Sequence, residues 1–244
     1  LVTGGFGFIG AAVVTRLLAL GHSVRILDNA SRGKHDFSEK KNCEIIRADI
    51  RDTQAVINSA EGVDGVVHLA YINGTENFYS HPDLVLEVGV KGMLNVLDAC
   101  FQHKVRELFL ASSSEVYQVP GIYPTPENVP LIIPDPLNPR YSYGGGKIIS
   151  EMLAIHCAKK KMGRVIIFRP HNVYGPQMGW EHVIPQFVTR FKALAKTSEG
   201  KTLDFPIQGS GEETRSFTFI DDFVSGLMLI MEKGESLGIY NIGT

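Results

Sequence analysis

The sequence predicts an α/β protein built on a doubly wound parallel sheet. Short β-branched or apolar runs alternate with longer segments of helical period, which argues for βαβ units. The runs are apolar on successive positions, as expected of strands covered on both faces. A glycine-rich turn joins the first run to the first helical segment, the arrangement found where an open sheet binds a ligand at its carboxyl edge.

The elements follow in order. The run LVTGG opens the first strand, and residues 9–20 form the first helix. SVRILD (23–28) is the second strand, and the segment ending in IIRADIRD holds the third. VDGVVHLA (63–70) precedes a helix over 83–103, and VRELFLASS (105–113) precedes a helix over 143–160. RVIIFRP (164–170) closes the series. Right-handed crossovers between parallel strands make the sheet doubly wound. Between them, residues 118–140 (QVPGIYPTPENVPLIIPDPLNPR) hold much of the proline, which excludes a helix and marks a long functional loop. From about Asn172 onward the pieces are interrupted by YGPQMGWEH and QGSGEETR. The division is therefore 1–171 for the sheet domain and 172–244 for a smaller lobe laid over the sheet's carboxyl edge.

Composition removes several function classes. A formal charge of −2 lacks the basic excess of a phosphate-backbone binder, so nucleic acid is not expected as a partner. Cys43, Cys100 and Cys157 are far apart and lack metal-ligand spacing, which suits buried thiols in a reducing cytoplasm; no metal is expected. No apolar run of about 18 residues is present and no membrane association is expected. The chain opens at Leu1-Val2-Thr3 and closes at Tyr240-Asn-Ile-Gly-Thr244, both in strand-like sequence, so it reads as a fragment.

Glycines at 4, 7 and 10 follow a strand and open a helix. A tight turn, a close backbone approach and helix–strand packing each favour a residue without Cβ, and free amides at a helix start attract a pyrophosphate. Asp28 ends the second strand about 20 residues on, where a ribose diol would sit. A carboxylate there repels a 2′-phosphate, so NAD is expected over NADP, with Arg32 nearby as the contrary signal. Asp49 either accepts from an adenine amino group or caps a helix. His68 reads as a satisfied strand-end histidine rather than a base.

The stretch RYSYGGGKIIS (140–150) raises a choice between two tyrosines. On a helix, residues four apart lie within about 40° and residues six apart about 120° apart, so Tyr143, and not Tyr141, shares a face with Lys147. A neighbouring ammonium favours the phenolate, giving an acid/base suited to alcohol oxidation. Ser112-Ser113-Ser114-Glu115-Val-Tyr117 places hydroxyls and a carboxylate at a strand's carboxyl end. Taken alone, that cluster is turn chemistry.

Together, the glycine loop, the Ser-Ser-Ser-Glu-Val-Tyr run, Tyr143-x-x-x-Lys147, Arg169-Pro-His-Asn-Val-Tyr-Gly-Pro176 and Gly209-x-Gly-x-x-x-Arg215 resemble the extended short-chain dehydrogenase/reductases. Within these, the chain is similar to the NAD-dependent nucleotide-sugar epimerase/dehydratase family. The resemblance implies a Rossmann-like fold and cofactor contacts at Gly4, Gly7, Phe8, Ile9, Gly10, Asp28, Asn29, Asp49, Ile50, Leu69, Ala70, Tyr143, Lys147 and Pro170. It also implies that Tyr143 removes the sugar hydroxyl proton, usually at C4, while Lys147 holds the nicotinamide ribose and lowers the tyrosine pKa. Ser113 would bond the reacting hydroxyl, with Ser114 and Glu115 as further catalytic candidates. Asn172 and Arg215 match positions that contact the nucleotide-sugar phosphates. Two departures stand out: Gly89 where relatives often carry asparagine, and Gln118 where they carry glycine.

Once C4 is a ketone, the sugar can be epimerised, dehydrated, decarboxylated or released. Glu115 is a potential C5 base, since GDP-mannose 4,6-dehydratases and UDP-glucuronate decarboxylases carry a similar Ser-Glu pair; dTDP-glucose 4,6-dehydratases typically carry Asp-Glu. The glutamate could equally brace the loop. The 4-epimerase type is slightly favoured; a 4,6-dehydratase, a decarboxylase or a C4 dehydrogenase is the alternative. A non-catalytic NAD-binding sensor would keep the glycine loop without needing Tyr143, Lys147 and Ser113. Trp180 and His182 could contact the base or sugar, although a lone aromatic more often packs. The helices 83–103 and 143–160 are apolar on more than one face, and the resemblance implies a homodimer through a four-helix bundle.

Overall fold

Alternating β-branched runs and amphipathic segments fold as their periods dictate, and a computed structural model describes residues 1–33, 35–180, 182–197, 202, 204–207 and 209–243. Strands form at β1 (Val2–Thr3), β2 (Val24–Asp28), β3 (Cys43–Arg47), β4 (Gly65–His68), β5 (Glu107–Ala111), β6 (Arg164–Pro170), β7 (Val173–Tyr174), β8 (Thr218–Phe219) and β9 (Ile239–Ile242). Helices form at α1 (Phe8–Ala19), α2 (Thr53–Ser59), α3 (Thr75–Ser80), α4 (Pro82–Leu86), α5 (Gly92–Gln102), α6 (Ser142–Leu153), α7 (Val183–Thr197) and α8 (Ile220–Lys233). The predicted 83–103 helix is α4 and α5 joined by a π turn at Glu87–Lys91, and α6 likewise continues into a π turn at Ala154–Ala158.

Seven strands pair in the order β3-β2-β1-β4-β5-β6-β9, all parallel. Successive side chains point to opposite faces. Phe109, Ile166 and Phe168 therefore join the core beneath α1 and α8, whereas Leu108, Leu110 and Ile167 join the one beneath α2 and α5. The order reverses between β1 and β4, and that crevice is where an open sheet holds its ligand.

The main sheet and its core also draw on residues beyond position 172. Strand β9 is the seventh strand of the main sheet, and Ile220, Phe223, Val224 and Leu227 of α8 lie in the same core as α1. Among the described residues, β7 and β8 pair as a separate two-stranded sheet. The sequence hid this because chain order does not report which strand a late segment will pair with. The thiols also differ from expectation: Cys100 is buried, Cys43 is half-buried and Cys157 is exposed.

The proline-rich segment is anchored by one buried ion pair. Arg169 donates through Nε and Nη2 to Glu151 at 2.8 and 2.7 Å, and through Nη1 to the Tyr117 hydroxyl and the Glu127 carbonyl. Tyr117 donates in turn to Asn241 Oδ1, and the Asn241 amide group donates to the Thr125 carbonyl. A loop without helix or strand is thus tied to α6, β6 and β9.

Candidate active site

The glycine loop has the spacing its backbone requires. Gly4 adopts φ +74°, and a Cβ there would lie 2.8 Å from the Ala70 amide nitrogen. At Gly10 a Cβ would come closer than 3.0 Å to the Gly4 carbonyl oxygen, so only glycine lets α1 approach the turn. Gly7 caps α1 with extended backbone and no side-chain bond, and the first turn carries no acidic residue. The amides of Phe8, Ile9 and Gly10 head the helix, whose first turn leaves N–H groups without intrahelical partners. A Cβ on Gly7 would meet only the Gly4 oxygen within 4 Å. An open helix start under clear space fits a dinucleotide pyrophosphate.

Asp28 closes β2 and accepts from the Phe6 amide at 3.0 Å and the Ala30 amide at 2.8 Å. Each oxygen keeps lone pairs, so the carboxylate is fixed in place and can still accept from a diol. Asp49 is gripped by Arg51 through Nε and Nη2 at 2.9 and 3.0 Å, and by Asn29 Nδ2 at 3.2 Å. The Arg51 hydrogen bonds hold it down at about 2. Of the two roles open to Asp49, capping falls to Asp52, whose side chain accepts from the Ala55 amide. Ile50 is buried, and a Cβ on Gly92 would come within 3.0 Å of its side chain.

Thr3 stitches β1 to the end of β4. Its Oγ1 accepts from the Leu69 and Ala70 amides, both at 3.2 Å, which leaves its proton for His68 Nδ1 at 2.7 Å. His68 is fully enclosed, and burial, with Lys147 nearby, pulls it to about 3. It is a neutral structural histidine.

Tyr143 and Lys147 lie buried on one face of α6, as the spacing argument requires. Asn138 accepts from the Arg140 amide and caps a 3₁₀ turn at Pro139–Tyr141, leaving Tyr141 half-buried just before the helix. The Tyr143 ring stacks on Phe78 (5.0 Å, 22°) and stands edge-on to Tyr71 (5.1 Å, 83°). Lys147 Nζ donates to the Ala111 carbonyl at 2.7 Å and lies 4.1 Å from the Tyr71 ring centre and 5.7 Å from that of Tyr143. Burial pushes Tyr143 up to about 12, against a hydrogen bond from Ser113 and the charge of Arg32. Burial pulls Lys147 down to about 7, with Glu151 opposing. In the protein alone burial governs the tyrosine, and the influences that oppose it are Ser113 and Arg32 rather than Lys147.

Ser113 does two jobs. It lies close enough to the Tyr143 phenol to favour the phenolate, and it accepts from the Glu115 amide at 3.1 Å, capping the 3₁₀ turn Ser114–Val116. Ser114 is half-buried in that turn, and its carbonyl accepts from the Tyr117 amide. Glu115 is held by Arg140, whose Nη2 lies 3.2 and 3.0 Å from its two oxygens. Gln118 takes φ +53°, a conformation that glycine adopts freely, and its side-chain amide donates back to the Glu115 carbonyl.

Toward the second lobe, Pro170 ends β6 opposite Ile242. Asn172 is exposed and donates from Nδ2 to the Ser216 carbonyl at 2.8 Å, 44 positions away. The β7–β8 pairing thereby sets it against Ser216, the residue that follows the exposed Arg215. Trp180 does not pack: it is 75 % exposed and, with Gln186, Thr189 and Arg190, lines a separate cavity of about 270 Å³.

The three glycines after Tyr143 each clear a neighbour. A Cβ on Gly144 would lie 2.6 Å from Gln118 Nε2 and 2.9 Å from the Glu115 carbonyl, and one on Gly145 would lie 3.2 Å from Ile133. On Gly146 it would come closer than 3.0 Å to the Tyr71 hydroxyl, as would one on Gly89. Sequence reasoning missed Tyr71, Phe78 and Arg140. The paired absence of side chains at 89 and 146 was the available signal for a bulky neighbour.

Fold and site together define an extended short-chain dehydrogenase/reductase with a dinucleotide crevice and a Ser/Tyr/Lys set beside it. The chain belongs to the NAD dependent epimerase/dehydratase family, whose model matches residues 1–243. It is 35 % identical over 248 residues to UDP-glucuronic acid decarboxylase 2 of Arabidopsis thaliana, covering all of this chain and 52 % of that protein. It is 32 % identical to the UDP-N-acetyl-alpha-D-glucosaminuronate decarboxylase of Bacillus cytotoxicus, covering 100 % of this chain and 74 % of the other. Among solved structures it is similar to the UDP-glucose 4-epimerase of Thermotoga maritima with UDP-glucose (TM-score 0.83, 30 % identity, 100 % and 76 % covered). The dTDP-glucose 4,6-dehydratase of Streptomyces venezuelae with NAD bound is also similar (TM-score 0.82, 28 % identity, 99 % and 74 % covered). The chain spans about half the length of several curated relatives, 52 to 55 % for three decarboxylases.

Proposed function

We propose that this chain carries the catalytic core of an enzyme that transiently oxidises C4 of a nucleoside-diphosphate sugar and then resolves the ketone, with 4-epimerisation as the outcome. The supporting observation is the buried Tyr143 phenol, under the influence of Ser113 just after β5 and with its ring centre 5.7 Å from Lys147 Nζ. When bound, NAD supplies the hydride acceptor. Gly4, Gly7 and Gly10 leave room for its pyrophosphate, and the first-turn amides face it. Asp28 takes the ribose diol and favours NAD over NADP. Tyr143 accepts the proton of the sugar hydroxyl, Ser113 orients that hydroxyl, and Lys147 supplies positive charge that favours the phenolate as water is excluded. Asn172 and Arg215 are the candidates for the diphosphate.

The outcome rests on Glu115. Both oxygens of Glu115 are engaged by Arg140, so the carboxylate is turned to the loop rather than free to take the C5 proton, which argues against 4,6-dehydration. Decarboxylation is the second reading, because the Ser114-Glu115 pair resembles that of UDP-glucuronate decarboxylases and two such decarboxylases are at least 34 % identical to this chain. Anaerobic incubation with UDP-glucose, UDP-galactose, UDP-glucuronate and dTDP-glucose, followed by absorbance of reduced cofactor and by NMR of the products, separates these. Interconversion of glucose and galactose supports the first reading and carbon dioxide release the second. A cofactor never reduced by any of the four defeats both.

Leu94, Ile149 and Met152 are exposed on α5 and α6, 42, 39 and 56 % respectively, which supports a homodimer through these helices. Light scattering that reports a monomer would refute it. Three free cysteines favour a reducing, cytoplasmic setting. Among the described residues no helix is long and apolar enough to cross a membrane.

A further inference from the structure

Tyr71 stands three residues beyond the carboxyl end of β4, and two helical segments are shaped around it. A Cβ on Gly89, within the π turn between α4 and α5, or on Gly146 of α6 would come closer than 3.0 Å to its hydroxyl oxygen. That hydroxyl is buried without a hydrogen-bond partner. A buried, unpaired phenol is unfavourable, so the ring rather than the hydroxyl must account for the residue. The ring has two functional neighbours. Lys147 Nζ lies 4.1 Å from its centre, and the Tyr143 ring meets it edge-on at 5.1 Å.

We propose that Tyr71 is a positioning residue of the active site, whose aromatic face holds the Lys147 ammonium and whose ring fixes Tyr143 against Phe78. The negative face of an aromatic ring attracts a cation, most strongly where water is excluded. Lys147 has lost its water to burial and donates to the Ala111 carbonyl. The groups facing it are Tyr71, Tyr143, His68 at the end of β4 and Glu151 one turn along α6. Of these, Glu151 is already committed to Arg169 and His68 is neutral. The Tyr71 face is therefore the nearest uncommitted group that stabilises the charged form. Gly89 and Gly146 are explained by the same contact, since any side chain at either would displace the ring.

The inference deepens the Tyr143/Lys147 reading, and its test does not need turnover. Phenylalanine and a series of increasingly fluorinated phenylalanines placed at 71 keep the ring's shape while weakening its negative face. The readout is the titration of Lys147 Nζ by NMR in the cofactor-free chain, with calorimetric NAD affinity beside it. Tyr71→Phe should leave the Lys147 midpoint in place. Fluorination should lower it stepwise, and Tyr71→Leu, checked for folding by circular dichroism, should weaken the ammonium preference on the order of tenfold. A midpoint indifferent to fluorination overturns the proposal. So does a Tyr71→Phe variant as damaged as Tyr71→Leu, which would assign the effect to the hydroxyl. If Lys147 responds as expected while no sugar nucleotide reduces the cofactor, the contact stands and the proposed reaction fails.

Discussion

Arg140 holds Glu115 through one Nη2, 3.2 and 3.0 Å from the two carboxylate oxygens, and its guanidinium lies 5.4 Å from the centre of the Phe78 ring that stacks on Tyr143. An acid that acts on the candidate base is therefore tied to the wall that positions it. In an epimerase of this kind, solvent deuterium should not enter at C5 and Glu115→Gln should retain the first hydride transfer. Incorporation at C5 in the native protein, lost in Glu115→Gln, would make Glu115 a base and revive the dehydratase reading. NMR of the product in deuterated water decides it.

Tyr143→Phe should lower turnover by about 10²–10⁴, the range for losing a general acid/base, while leaving NAD affinity intact. Tyr141→Phe should be mild, because Tyr141 precedes α6 and sits off the Lys147 face. Equal losses in the two variants would sink the assignment.

Gly10→Ala should destabilise the fold by about 1–3 kcal/mol and weaken NAD binding, because both atoms in collision belong to backbone or Cβ and cannot rotate away. The control is Gly121→Ala, where a Cβ meets nothing within 4 Å. Thermal melts and calorimetry of the two variants should diverge.

His68 ties stability to pH with a definite sign. Its folded value, about 3, lies below the ordinary 6.5, so the unfolded chain binds more protons between those limits. The neutral imidazole's contribution is full above pH 6.5 and is lost as pH falls toward 3. Stability should drop by up to about 1.4 kcal/mol per pH unit from this group. His68→Asn should flatten the slope in pH-dependent melts; an unchanged slope would remove His68 as the cause.

Arg169→Met leaves Glu151 charged in a buried site and should cost about 3–5 kcal/mol. Replacing both partners by methionine should recover most of it. Protease sensitivity of residues 118–138 should rise in the single variant, since Arg169 also holds the Glu127 carbonyl.

The sequence by itself determined the parallel sheet, the glycine loop and the pairing of Tyr143 with Lys147. Each of these is local: a period, a turn or a four-residue spacing fixes where backbone and side chains point, whatever packs later. It also set Gly89 and Gly144 to Gly146 in helical segments, without the reason a residue lacking Cβ is needed there. Only the tertiary structure decided that reason, because Tyr71 reaches Gly89 and Gly146 from a third element and Gln118 reaches Gly144 from the proline-rich loop. The same holds for Arg140 on Glu115, for β9 beside β6, and for the burial that drives Tyr143 up and Lys147 down. Burial and long-range contact depend on how distant segments close over one another, and no spacing along the chain encodes that distance.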